Sequence, residues 1–261
     1  FDQQKSYSIG CVTIDANNPH TIWVGTGENV GGRHVGFGDG IYVSEDDGKT
    51  WTNKGLPNSE HISKIIVHPE NSDIIWVASQ GPLWSKGGDR GVFKSIDGGN
   101  TWNRKLGDTE WVGATDLLID PNNPDILYAA TWQRHRTVAG YLGGGKGSGL
   151  HKSIDGGNTW NKLTNGIPKS NLGKIGLAMS PFNSDVIYAA IELDRTKGGV
   201  FMSSNGGVSW IKQSNAVSGG TGPHYYQELI ASPHKEGTLY MMNNRALESK
   251  DHGKTFVNMR R

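Results

Sequence analysis

Five carboxylates, Glu28, Asp89, Glu110, Glu192 and Asp194, stand in polar, turn-rich stretches between apolar runs, where acid–base chemistry would be done. Hydrolysis of a glycosidic bond takes two carboxyl groups, about 5–5.5 Å apart for retention or about 6.5–9.5 Å apart for inversion. Nothing in the order of the residues selects two of the five, and for each the alternative is ordinary solvated loop charge. Three tryptophans, Trp84, Trp111 and Trp132, lie in or beside the same stretches. An exposed indole is a platform for the C–H faces of sugars or for aliphatic peptide groups; the alternative is a plug between packed elements. Arg33, Arg90, Arg134 and Arg136 add cations that can clamp a carboxylate, and His34 is a further ligand-binding candidate in the first of these loops. Tyr225, in the run Gly219 to Tyr226, reads either as a ligand contact or as the start of a strand. Glu60 and His61 occupy another connection of this kind.

Other chemistries are disfavoured. The nine histidines are scattered, with no pair at metal-ligand spacing, and Cys11 is alone in an apolar run. The sequence therefore predicts no metal and no cofactor. Gly143 to Gly149 lacks the strand-to-helix setting and spacing of a phosphate loop and reads as a flexible connection. A net charge of +1 argues against electrostatic capture of nucleic acid. No run approaches the roughly 18 apolar residues of a membrane span, so no membrane insertion is expected. With 38 Gly and 10 Pro but also nine Trp in 261 residues, the chain is rich in turns yet equipped for a packed core.

The elements that must position these residues are written in a repeat. Ser44-Glu45-Asp46-Asp47-Gly48-Lys49-Thr50-Trp51 returns as Ser95 to Trp102 and Ser153 to Trp160, and in altered form as Ser203 to Trp210 and Ser249 to Phe256. Successive copies start 46 to 58 residues apart. Each is preceded by two short apolar runs around a polar turn, for example Ile65-Ile66-Val67-His68-Pro69 and Ile74-Ile75-Trp76-Val77-Ala78. An aromatic recurs in the second run as Trp23, Trp76, Tyr128, Tyr188 and Tyr240. Each unit thus offers four short strands, A to D, set in the second unit at about 61–68, 74–79, 91–95 and 101–106. Four antiparallel strands repeated at this period predict an all-β propeller of five blades, about 1–60, 61–110, 111–168, 169–224 and 225–261. In the octapeptide, the Asp side chain should accept backbone N–H groups within the turn, and the Gly at the fifth position should supply a positive φ. A calcium loop is the weaker reading, since the acidic ligand at the loop end is missing.

Strand parity then places the candidate chemistry. The octapeptides are C–D turns and fall on one face with the A–B turns, whereas the B–C loops and D–A connections share the other, or top, face. The B–C loops span roughly 27–39, 80–90, 132–149, 192–198 and 244–245, and they hold most of the charged and aromatic candidates.

On its octapeptides the chain resembles the Asp-box, or bacterial neuraminidase repeat, propellers. These include sialidases, xyloglucan hydrolases, the luminal propeller of sortilin-like receptors and photosystem II assembly factors. It most resembles large bacterial exported proteins of sortilin-like or glycosyl-hydrolase-like type. The resemblance spans the whole chain and implies an extracellular or periplasmic location. It is specific for fold and weak for activity, and the Arg-Ile-Pro segment of sialidases is missing. Two functions follow: a recognition module binding glycan or peptide on the top face, which is the favoured reading, and a glycoside hydrolase using two top-face carboxylates. A scaffold role is a third and weaker one. The chain opens at Phe1 without a signal peptide and stops just beyond the fifth octapeptide. Related propellers mostly have more blades, so further blades of a longer parent chain are expected.

Overall fold

Strand B of the first four units ends in an apolar run largely buried on both faces, and this decides the architecture. The computed structural model describes residues 1–107, 110–193, 197–216, 228–243 and 245–259. It is all-β, with five four-stranded antiparallel sheets arranged as propeller blades. Blade 1 is β1 (Ile9–Asp15), β2 (Asn18–Thr26), β3 (Ile41–Ser44) and β4 (Thr52–Asn53). Blade 2 is β5 (Ile62–His68), β6 (Asn71–Ser79), β7 (Gly91–Ser95) and β8 (Asn103–Leu106). Blade 3 comprises β9 (Val112–Asp120) and β10 (Asn123–Gln133), a small hairpin of β11 (His135–Arg136) and β12 (Tyr141–Leu142), then β13 (Gly149–Ser153) and β14 (Asn161–Leu163). Blade 4 is β15 (Ile175–Ser180), β16 (Asn183–Ile191), β17 (Gly199–Ser203) and β18 (Ile211–Ser214). Blade 5 is β19 (Glu228–Ala231), β20 (Leu239–Met242), β21 (Ala246–Ser249) and β22 (Val257–Asn258).

The innermost strands pack in sequence, β1 on β5, β5 on β9, β9 on β15 and β15 on β19. Successive side chains of β6 serve opposite seams. Ile75 and Val77 meet Trp23, Ile41 and Val43 of blade 1. Trp76 and Ala78 meet Ala114, Leu117, Leu127 and Ala129 of blade 3. The third and fourth seams repeat the scheme with Tyr128 against Ile187 and Phe201, and Tyr188 against Leu229 and Met241.

The octapeptides knit each outer turn and also reach between blades. Ser95 Oγ accepts the Gly99 N–H (2.9 Å) and donates to Asp97 Oδ1 (2.7 Å). Asp97 then accepts the backbone N–H and hydroxyl of Thr101 at 2.9 and 2.6 Å. Bonds from Thr50, Thr101 and Thr255 hold the Asp46, Asp97 and Asp251 carboxyls down at about 2. The fifth-position glycine has the expected positive φ (77° at Gly99), but so does the fourth position: Asp47, Gly98, Gly156, Gly206 and His252 lie between 59° and 67°. This close turn lets the strand-B aromatic of the preceding blade dock on it. Trp76 Nε1–H donates to Gly156 O at 3.0 Å, Tyr128 O–H to Gly206 O at 2.9 Å, and the Tyr188 hydroxyl lies 2.7 Å from His252 Nδ1.

Candidate functional site

On the top face the loops of the first three blades fold onto one another. Residues 27–40, between β2 and β3, place Val30 and Val35 against Leu83 of the β6–β7 loop and Tyr141 of β12. Arginines bind this cap together. Arg134 is fully buried and donates to the carbonyls of Val30 (2.8 Å) and Gly81 (3.0 Å). Arg136 donates to Gly31 O at 3.0 Å and lies over the Tyr141 ring. Arg90, also buried, holds its own loop through the carbonyls of Pro82, Ser85 and Gly87. Burial lowers the Arg134 guanidinium to about 10.

These positions differ from those of exposed surface clamps. The expected cationic contacts Arg90, Arg134 and Arg136 have their guanidinium groups turned to backbone carbonyls inside the cap. Trp132 is only 2% exposed; its indole N–H bonds Gly143 O, and the Arg134 guanidinium sits over its ring. It fills a gap between elements. Trp111 is half-buried against the His135 ring, tilted by 34° with 3.9 Å between centroids. Trp84 is 38% exposed, and Arg33 and His34 are exposed, so these three remain surface groups.

Each described candidate carboxylate has a local partner of its own. Glu28 accepts the Gly36 N–H at 2.8 Å within its own loop. Asp89 accepts the Asn58 N–H at 2.9 Å and so ties the β6–β7 loop to the blade 1–blade 2 connection. Glu110 is exposed and 3.6 Å from Lys86 Nζ. Glu192 accepts the Lys174 N–H weakly at 3.4 Å. Asp194 and Tyr225 lie outside the described residues.

Two features escape sequence reasoning. The first is a polar channel of about 250 Å³ lined by residues of all five inner strands, among them Lys64, Asp116, Lys174 and Glu228. Buried Lys174 donates to Asn29 O at 2.6 Å, and burial lowers its ammonium to about 8 against the pull of Glu228. Asp116 accepts the N–H groups of Leu117 (2.9 Å) and Leu177 (2.7 Å), while burial raises its carboxyl. The second is an open cleft of about 530 Å³ between blades 1 and 2, lined by Phe37, Asn58, Glu60, Pro82, Ser85 and Lys86, among others. Its floor abuts His61, which donates from Nδ1 to Glu28 O at 2.9 Å. Burial, reinforced by Arg134, holds that imidazole at about 2, so it is neutral. Its inward position followed from no sequence signal, because a histidine in a connection reads as solvated.

The class the structure defines is an all-β propeller of five four-stranded blades whose longest loops share one face. The family described as "Sortilin, neurotensin receptor 3" matches residues 39–174, and the chain belongs to this Sortilin-Vps10 family. It is also similar to a xyloglucanase of a Paenibacillus species, with 24% identity over 77% of this chain and 22% of that protein. A probable oligoxyloglucan-reducing end-specific xyloglucanase of Neosartorya fischeri is 23% identical over 87% of this chain and 30% of its own length. Among solved structures, an ancestral GH74 enzyme superposes with a TM-score of 0.68 at 19% identity, over 97% of this chain and 31% of that one. The chain therefore spans under a third of the length of each of these proteins.

Proposed function

We propose that the chain is a propeller portion of an exported glycoside hydrolase acting on a branched β-glucan of the xyloglucan type, which it engages on the top face. The observation that carries this reading is the similarity to xyloglucanases along most of the chain. It reverses the preference for a pure recognition module drawn from the sequence and favours the hydrolase alternative. We read the five octapeptides as Asp-box repeats, and the location as extracellular or periplasmic.

Further blades belong to the proposal. In blades 2 to 4 the strand-B aromatic bonds the octapeptide turn of the next blade. Tyr240 is the same aromatic in blade 5, paired with Ile230 on the face turned away from blade 4. Among the described residues no sixth octapeptide receives it. On blade 1, Val12 and Ile14 are about 60% exposed. These flanks suit additional blades of the parent chain.

Recognition without cleavage is the second reading, favoured by one observation: Glu28 and Asp89 are each engaged by a backbone N–H of their own scaffold. The full-length protein incubated with xyloglucan, other β-glucans and sialosides separates the two. Release of new reducing ends from xyloglucan is expected. Retention on immobilised xyloglucan with no release of reducing ends would refute the hydrolase and establish recognition.

A further inference from the structure

Glu60 stands out by its backbone. It is a non-glycine residue with φ of 53°, in the left-handed region, where a side chain costs conformational energy that persists only when its surroundings impose it. Here they do. The Glu60 carbonyl accepts the Gly38 N–H at 2.7 Å, and Gly27 packs so tightly on that carbonyl that a methyl group there would collide with it. The neighbouring Ser59 and His61 are fully buried, which anchors the segment on both sides. The outcome is a carboxylate delivered to the mouth of the cleft between blades 1 and 2, its side chain about 30% exposed. Among the described residues, Glu60 Oε2 receives a long bond from the Leu83 N–H, 3.4 Å, and lies 3.9 Å from His61 Nε2. His61 is neutral and spends its proton on Glu28 O, so it does not neutralise the carboxylate.

Beside Glu60 stands Phe37, 52% exposed although it is a large apolar ring. Its edge-to-face packing on His61, 5.8 Å between centroids, fixes its orientation. Asn58, whose backbone is pinned by Asp89, and Ser85 add uncharged hydrogen-bonding groups to the rim, and the Lys86 ammonium there is paired with Glu110 at 3.6 Å. An oriented aromatic ring next to a carboxylate with acceptor capacity to spare matches a neutral sugar: the ring takes the C–H face and the carboxylate accepts from hydroxyl groups. Resting on the proposed glycan function, we infer that this cleft is a sugar-binding subsite in which Glu60 contacts the hydroxyls and Phe37 carries the ring. The occupant is a neutral glucan unit. The strained backbone is the device that aims the carboxylate.

The test uses the full-length protein, xyloglucan oligosaccharides as probe, and calorimetric titration alongside thermal unfolding. Glu60→Gly removes both the carboxylate and the backbone strain; Phe37→Ala removes the platform. Glu60→Gly should weaken oligosaccharide binding by about tenfold or more, the scale of one or two lost hydrogen bonds to a charged group, and Phe37→Ala by up to about tenfold through loss of its aromatic contact face. Glu60→Gly should do so with an unchanged or raised melting temperature, which separates lost contact from lost fold. Tight binding by both variants, with wild type also binding, would overturn the subsite and leave the glycan function standing. No binding and no cleavage by wild type would overturn both. Binding lost only together with the melting transition in Glu60→Gly would also refute the inference, since Glu60 would then be structural.

Discussion

If the seams between blades are held as described, Trp76 should follow a graded substitution series. It is essentially fully buried, fills the space between blades 2 and 3, and donates its indole N–H to Gly156 O at 3.0 Å. Trp76→Ala removes the ring and leaves a cavity, at a cost of about 3–5 kcal/mol. Trp76→Phe keeps much of the volume but leaves the carbonyl without that donor, a loss of about 1–3 kcal/mol. Trp76→Tyr should recover about 1 kcal/mol relative to Phe, because the next seam already uses a tyrosine for this bond, Tyr128 to Gly206 O at 2.9 Å. In a chain of this size each kcal/mol lowers the melting temperature by about 2–4 °C, so the Ala variant should melt about 6–20 °C below wild type. Urea unfolding followed by tryptophan fluorescence and circular dichroism provides the free energies, and an unchanged denaturant slope shows that the folded and unfolded states compared are the same. Phe equal to or better than Tyr would refute the hydrogen-bonded seam. An Ala variant within 1 kcal/mol of wild type would refute the claim that the seam carries stability.

Arg134→Met, which keeps the stem but cannot bridge Val30 and Gly81, should speed proteolytic cleavage within residues 27–40 while leaving the blade cores folded; equal protection would show that the cap is held otherwise. Protonation should destabilise the fold in two windows. His61 and His151 have folded values lowered to about 2 and about 4, chiefly by burial, so the unfolded chain takes up their protons first. Their contribution is intact above about pH 6.5 and erodes as pH falls below it, by at most about 1.4 kcal/mol per pH unit for each histidine. The octapeptide carboxyls of Asp46, Asp97 and Asp251, lowered to about 2, contribute fully above the unfolded value near 4 and lose that contribution as pH falls towards 2. Unfolding free energies at pH 7, 5 and 3 should therefore fall at both steps; replacement of His61 by Gln should flatten both, since its window runs from about pH 6.5 down to about pH 2, and Asp97→Asn should flatten the second alone.

What could be read from the chain and what could not divides along sequence distance. The octapeptide is a local device whose bonds run between residues two to four apart, such as Ser95, Asp97, Gly99 and Thr101, so its types and spacing announce it and the blades follow. The doubly buried strands announce themselves in the same way, and the expected strand at 91–95 is β7 itself. Arg134 behaves differently because its partners lie 104 and 53 residues away and are backbone carbonyls, which carry no side-chain signature. A cation in a loop therefore reads as a ligand contact from sequence and proves to be a strut. For Trp132 the sequence leaves platform and plug both open for the same reason: its partner, Gly143 O, lies just past the β11–β12 hairpin and carries no side-chain signature.

Glu60 carries this reasoning one step further. Nothing about a lone glutamate in the stretch Asn58-Ser59-Glu60-His61 marks it out, since a positive φ at a non-glycine residue is invisible in one sequence. Its conformation is imposed by Gly27 and Gly38, two glycines of another loop that look like turn formers and act as space and donor for the Glu60 carbonyl. Gly27→Ala tests that dependence directly. Gly27 itself has φ of 90°, so the alanine brings strain at residue 27 as well as a collision with the Glu60 carbonyl. The expected cost is about 2 kcal/mol or more. Combined with Glu60→Gly, which lets residue 60 move away without penalty, Gly27→Ala should cost measurably less. Strict additivity of the two changes would mean that Gly27 does not hold the Glu60 backbone, and the left-handed conformation would need another cause.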